Sequence, residues 1–334
     1  MANSPVNPRI DWYRSPIDRD LLARLNQRSD LLGAAQTLGH LAIIGLTGAA
    51  AFYAWSIGSV ILLIPALFLH GGVYHFLLNG FHELCHSSVF RTKWLNTFFL
   101  YLVSFISGHN PILFWASHQE HHKFTLHPPD DLEVTLPVKL TLAGFLRSGI
   151  VNFDGIYHHF RGQIRLALGI IDGEWANYLF PADKPEARRR LFAWTRFSLL
   201  GHLAIVVASI ASGYWIFILL ITLAPFYGGL VQHLCNNTQH SGLADDVTDY
   251  RLCTRTITLN PLLQFLYWHM NFHIEHHMYA AVPCYNLPKL HAAIRHDLPP
   301  TPNGLVETWK LIGAIMKRQA QDPSYVHVPQ LPRI

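Results

Sequence analysis

Charge is what this sequence has least of. Only 14% of its 334 residues are Asp, Glu, Lys or Arg, against roughly 25% in soluble domains, and residues 31–82 and 197–244 contain none. That excludes an ordinary water-soluble fold. Cysteine is scarce too. Cys85, Cys235, Cys253 and Cys284 show no C-x-x-C spacing, so neither a thiolate zinc site nor an iron–sulfur cluster is available, and reduced, unpaired thiols are expected. No Gly-rich nucleotide-binding motif is present, which leaves the chain without a dinucleotide of its own. The N-terminus is charged and lacks an apolar core before a small-residue cleavage site, so no signal peptide is expected and the first apolar segment serves as the anchor.

Hydrophobic residues, 50% of the chain, stand in place of charge. A bilayer-crossing helix needs about 20 apolar residues, and each charge-free block is long enough for two joined by a tight turn. The expected hairpins are 32–55 with 57–78 and 191–212 with 214–234. The turns at Ser56-Ile57-Gly58 and Ser212-Gly213 carry no charge, whereas Arg9, Arg14, Arg19, Arg24 and the run Arg188-Arg189-Arg190 lie on the other side. By the positive-inside rule both termini and the central segment are cytoplasmic, in a plasma (inner) membrane. The net charge of +4 suits contact with anionic headgroups. The fold class expected is therefore all-α and integral to the membrane: four transmembrane helices in two hairpins with a cytoplasmic helical cap. One domain over 1–334 is expected, with a lead-in at 1–30, hairpins at 31–80 and 191–235, and cytoplasmic segments at 81–190 and 236–334. Segment 95–108 is apolar but too short to cross and reads as an interfacial or half-buried helix. Segments 138–150 and 305–317 read as amphipathic helices.

Histidine is in excess, with 22 residues, and much of it is ordered. Trp268 to His277 places His273, His276 and His277 at i, i+3 and i+4, and the same H-x-x-H-H pattern occurs at His118, His121 and His122. His82 and His86 form an i, i+4 pair. If these segments are helical, each set projects from one face, and imidazoles so spaced are a metal-ligand set. An internal repeat organises them. Each apolar hairpin is followed by an i, i+4 polar pair, His82/His86 and then Asn236/His240, and H-x-x-H-H follows at a step of 32 from His86 and 33 from His240. Asn236 and His240 thus stand in the second half where His82 and His86 stand in the first. His233 is the weaker candidate. Lone histidines inside the spans, His40 and His70, are expected to be packed or hydrogen-bonded; His75 is watched because it lies seven residues before His82.

Counting His240, nine imidazoles exceed the four to six positions of one metal, so two metals are implied. Nitrogen ligands on two adjacent metals at a membrane face fit oxygen activation better than structural zinc. Glu83, Glu120 and Glu275 each adjoin a box histidine; they are poor direct ligands but reasonable acceptors for ring N–H groups. Asp130, Asp131, Asp245 and Asp246 could act likewise or simply be solvated. His82-Glu83-Leu84-Cys85-His86 also spells the H-E-x-x-H of zinc metalloproteases, but that reading leaves the other clusters without a task and finds no acidic ligand on a later span. A haem carrier needs histidines facing each other across paired spans, and a metal transporter needs ligands lining a path through the bilayer; the clusters at helix ends fit neither.

Taken as a set, His82-x-x-x-His86, His118-x-x-His121-His122 and His273-x-x-His276-His277 resemble the three boxes of the membrane fatty acid desaturases, part of a histidine-rich di-iron superfamily that includes membrane hydroxylases. The resemblance covers about 32–291. It implies two irons in a cytoplasmic cap, ligated by the eight box histidines and one further histidine. Gln239-His240-Ser241 resembles the segment that supplies this ligand, Asn236 a nearby water-linked position, and 275–290 the family's closing pattern. The chemistry implied is O2-dependent removal of hydrogen from an aliphatic, fatty acyl or lipid-like substrate, with electrons from a ferredoxin or a b-type cytochrome and its reductase. No His-Pro-Gly-Gly haem signature is present in the chain. The boxes leave desaturation and hydroxylation both open, although the five-residue first box leans toward the desaturases.

Overall fold

The computed structural model describes residues 9–138 and 140–332; residues 1–8, 139 and 333–334 of the expected domain lie outside the described residues. The chain is helical throughout that range: α1 Arg19–Leu25, α2 Asp30–Ser56, α3 Val60–His75, α4 Leu77–Cys85, α5 Lys93–Ser107, α6 Pro111–Phe124, α7 Leu142–Gly149 and α8 Phe153–Ala167. There follow α9 Glu174–Leu179, α10 Pro185–Ala211, α11 Leu230–Asn236, α12 Tyr250–Cys253, α13 Pro261–Leu266, α14 His273–Met278, α15 Leu287–Ile294 and α16 Gly304–Gln321. Extended pairing among the described residues is confined to isolated bridges.

Among the described residues three helices are long and apolar enough to cross a membrane, Asp30–Ser56, Val60–Cys85 and Pro185–Ala211, or four if the bent pair Lys93–Ser107 and Pro111–Phe124 forms one span. They carry Leu46, Ile61, Leu69, Leu203 and Ile210 exposed, apolar surface that water would not reward and lipid does. The first hairpin forms as expected. Ser29 caps α2 by accepting from Leu32 N, and Gly58 turns the chain at φ +69 before α3. The second span runs without a full break into α4, so His82 rides on the same apolar helix that leads to it.

The expected fourth span, 214–234, is corrected. Helical structure from Ile218 stops at a π turn, Ile218–Thr222, followed by a 3-10 turn, Ala224–Phe226, and resumes only at α11. Pro225 lacks an amide proton, Tyr227 is extended, and Gly228 has φ +73. The freed backbone finds partners outside the segment: Phe226 O accepts from Asn152 N and Ile150 O from Gly228 N, at 2.8 and 3.1 Å. The break also allows close approach to α3, since a Cβ on Gly71 would lie 2.3 Å from Tyr227 O.

Segment 95–108 is α5, which ends at Gly108 (φ +72) and bends by 105° into α6. Asn110 fixes the corner. Its Oδ1 accepts from Ile112 and Leu113 N, capping α6, while its Nδ2 donates to Thr195 Oγ1 of α10 at 2.9 Å. The amphipathic segment 138–150 is helical only over α7, and the C-terminal helix, α16, is longer than 305–317. Inside, α14 is buried along its whole length and α4 at every position but Leu78, and with the α4 C-cap they carry two of the three histidine boxes.

Candidate metal centre

The three boxes come from separate elements, and the fold closes them on one another. His82 lies in α4 with His86 as its C-cap; His118, His121 and His122 lie in α6; His273, His276 and His277 lie in α14. Entry to α14 is fixed by Trp268 and His269 in left-handed geometry. Ile257 N then donates to Asn271 O at 2.9 Å and Asn271 Nδ2 to Ile257 O at 2.8 Å. Around α6, Asp131 organises the return of the chain after Thr125 by accepting from Leu126 N.

All nine predicted imidazoles meet, in two adjacent nests. One holds His82, His86, His118, His122 and His276, each with a ring nitrogen within 4.8 Å of the others; the second holds His121, His240 and His277 on the same criterion. His273 joins the second through His240 and His277, Nε2 to Nε2 at 3.0 and 3.1 Å. In the first nest, His118 Nε2 lies 3.1 Å from His86 Nε2 and 3.0 Å from His122 Nε2. The nests touch where the rings of His122 and His277 stack at 4.6 Å.

The expectation that each H-x-x-H-H set presents one common face needs refinement. On a helix i and i+4 lie about 40° apart, whereas i+3 falls about 60° to the other side. Accordingly His118 and His122 share a nest while His121 crosses to the second, and His273 and His277 share a nest while His276 crosses to the first. Each half therefore gives its middle histidine to the other's nest.

The outward edges of four rings are held by acceptors, while the buried Nδ1 atoms of His273 and His276 have no hydrogen-bond partner among the described residues. His118 Nδ1 donates to Glu133 Oε1 at 2.7 Å, His121 Nδ1 to Asp131 Oδ2 at 2.7 Å, His82 Nδ1 to Glu83 Oε1 at 3.0 Å and His240 Nδ1 to Cys253 O at 2.9 Å. His277 Nδ1 faces Thr125 Oγ1 at 3.3 Å. A proton fixed on Nδ1 leaves the Nε2 lone pair for the centre, the tautomer that metal-ligating histidines need. Burial, with His121 beside it, pushes His240 down to about 3, and burial among like rings holds His273, His276 and His277 well below their ordinary range. They are neutral donors at physiological pH. Burial raises Asp131, but its hydrogen bonds from His121, Leu126 and Glu133 outweigh this and keep it below the usual carboxylate range; Glu133 is raised by burial.

Several sequence expectations change here. Glu83 sits behind His82, its Oε1 3.0 Å from His82 Nδ1 and 3.7 Å from His276 Nδ1. Glu120 does not support the centre: it pairs with Lys123 at 2.6 Å. Nor does Glu275, whose carboxylate is taken by Thr256 and His291. Asp245 and Asp246 are exposed. Asn236 is half-buried at the end of α11 and makes no hydrogen bond to the nine rings. His233 lies outside both nests, edge-on to Phe145 at 5.1 Å. Glu133 was missed. The available signal was an acid just beyond Pro128-Pro129, where the chain must turn back on α6. His40 and His70 are held by backbone, at Val73 O (3.1 Å) and Leu220 O (2.9 Å). All four cysteines are free and buried.

A sequence model for fatty acid desaturases matches residues 58–309, about three quarters of the chain. The chain belongs to the fatty acid desaturase family. It is 24% identical over 312 residues to the Delta(6)-fatty-acid desaturase fat-3 of Caenorhabditis elegans, a match covering 83% of this chain and 66% of that protein, just short of two thirds of its length. The matched region contains all nine imidazoles of the two nests. Nothing in the donor set conflicts with the family's metal: nine imidazoles in two groups, with carboxylates behind them and no thiolate among them, suit two borderline cations such as iron.

Proposed function

We propose that this family member is an O2-dependent di-iron desaturase that introduces a double bond into an aliphatic, fatty acyl or lipid-like substrate. The observation that carries the reading is the meeting of nine imidazoles in two touching nests. His82, His86, His118, His122 and His276 would hold one iron, and His121, His240, His273 and His277 the other. When bound, the irons supply the O2 chemistry that removes hydrogen from an unactivated C–H bond. The chain's own residues do the rest. Glu83, Glu133, Asp131 and the Cys253 carbonyl orient the rings and keep their protons on Nδ1. Seven of the nine rings are buried and His86 and His122 partly so, which limits access of bulk water and side reactions.

The same reading has one domain, with its spans in a plasma (inner) membrane and its termini and centre on the cytoplasmic side, as the distribution of arginines supports. Electrons come from an external ferredoxin or b-type cytochrome with its reductase. A cavity of about 900 Å3 bounded by Arg9, Trp12, Arg14 and Tyr250 reaches His122, which makes the centre approachable from the protein surface.

The test is a mass-resolved comparison of lipids and small metabolites from cells making the intact protein or the His273→Ala variant. Products lacking two hydrogens support desaturation, whereas products gaining one oxygen replace it with the hydroxylase reading. Two irons per chain are expected, and a single zinc overturns both.

A further inference from the structure

Four histidines outside the nests face one cavity. His75 of α3, His109 at the corner between α5 and α6, His159 of α8 and His233 of α11 line a space of about 230 Å3 together with Asn152 and Gln232. Three of these imidazoles are braced on an aromatic ring: His109 on Phe81 at 5.0 Å, His159 on Phe226 at 5.3 Å and His233 on Phe145 at 5.1 Å. Among the described residues these three make no hydrogen bond. His75 donates from Nδ1 to Gly71 O at 2.7 Å, leaving Nε2 as an acceptor. That edge is turned toward Gly229, where an added Cβ would lie 2.4 Å from the ring and would displace it. Three unpartnered ring edges and the free Nε2 of His75, lining one space, offer donors and acceptors to a ligand. Their nitrogens do not converge as those of the nests do.

This space shares His109 and His159 with a second, of about 630 Å3, that extends to Phe114, Ser117 and Glu133. Phe114 stacks on His118 at 4.9 Å, and Glu133 accepts from His118. The second space therefore ends one side chain from the first nest. Their volumes are those of a small-molecule or lipid-sized site. Among the described residues neither is lined by Lys or Arg, while Glu133, Asp172 and Glu174 line the second, Asp172 being paired with Arg165. Burial holds His159 down to about 4, with His202 contributing. An anionic ligand would meet neutral rings and carboxylates with nothing to compensate its charge. A neutral imidazole, in contrast, donates from one nitrogen and accepts at the other, the complement of an amide or a hydroxyl group.

We propose that these adjacent cavities bind the uncharged polar head of the substrate, an amide- or hydroxyl-bearing lipid rather than a free acid or a phosphate ester, with the remainder of the ligand directed past Phe114 toward the centre. The proposal rests on the desaturase reading for calling the ligand a substrate. It is tested without turnover. Binding of N-oleoylethanolamine, oleate and octadecene to the purified, metal-loaded, full-length protein in detergent is compared by native mass spectrometry. N-oleoylethanolamine is expected to bind about tenfold or more tighter than either of the others, the effect of one or two buried hydrogen bonds. His159→Phe should remove the advantage over octadecene, and His159→Gln, which keeps a donor and an acceptor, should restore most of it. Tighter binding of oleate, equal binding of amide and hydrocarbon, or an undiminished preference in His159→Phe with native iron content overturns the proposal. Selective binding of the amide with no product from any lipid, under donor-supplied conditions, would sink the desaturase reading and leave the binding site standing.

Discussion

The two halves of the chain repeat one plan and carry it out differently. In the first, an apolar helix continues into α4 and delivers His82 and His86 from its end. In the second, the helix fails at Pro225 to Gly228, and a short α11 delivers only His240, with Asn236 in the place corresponding to His82. The first nest consequently has five imidazoles and the second four. Because His121 and His276 are exchanged between halves, neither nest is complete without the other half of the chain. The difference teaches that the centre is one unit assembled from two unequal copies, in which the ligand pattern was kept more strictly than the helix that carries it.

The hardest way to break this comparison is to remove a ligand from each nest. His86→Ala and His240→Ala should each reduce activity to background. If the nests are separate metal sites, metal analysis of each variant should show about one iron retained rather than two. Loss of both irons from either variant would mean the nests load as a single cooperative unit. Full iron content and turnover in His240→Ala would take that residue out of the centre.

A smaller effect is expected from the carboxylates behind the rings. Glu133→Gln in the first nest and Asp131→Asn in the second should weaken metal binding by about 10- to 100-fold, read by chelator competition. Asp131→Asn should be the worse, because Asp131 also accepts from Leu126 and Glu133 N and so holds the chain turn as well as the ring. Equal losses would show that the turn survives without the charge.

The broken helix can be tested through its neighbour. Gly71→Ala forces a methyl against Tyr227 O, and overpacking of that kind costs about 1–3 kcal/mol, seen as a lowered Tm in detergent. Gly45→Ala, on α2 with open space around the new Cβ, is the control and should change stability by less than about 0.5 kcal/mol. If the two variants melt alike, the close crossing of the second half over α3 does not matter to stability.

How much of this was legible depended on whether a pattern is local. The three long apolar helices were readable because the absence of charge over a stretch is itself the signal, and the boxes because i, i+4 spacing is set within one helix. His240 was readable through the repeat and through the resemblance of Gln239-His240-Ser241, which carried it past His233. What stayed hidden depended on contacts between distant segments. Glu133 has no spacing relation to His118 that a helix would impose, and it reaches the ring only after the Pro128-Pro129 turn. The stop at Pro225 to Gly228 sits inside an apolar run, and hydropathy reads the run but not the missing amide proton or the crossing at Gly71.

Glu120 supplies the smallest expected effect and separates adjacency in sequence from support in space. It sits beside His121 as Glu83 sits beside His82, yet Glu83 is buried and accepts from a ring, whereas Glu120 faces outward to Lys123, whose side chain is 57% exposed. An exposed pair of this kind is worth at most about 1 kcal/mol. Glu120→Gln should therefore leave iron content and turnover within about twofold of the parent and stability within about 0.5 kcal/mol. Glu83→Gln should lower metal affinity as the other supporting acids do, because the amide keeps an acceptor for His82 but loses the charge that makes the ring a stronger ligand. Equal tolerance of both substitutions would mean that His82 is oriented by packing alone, and the role given to Glu83 would be withdrawn.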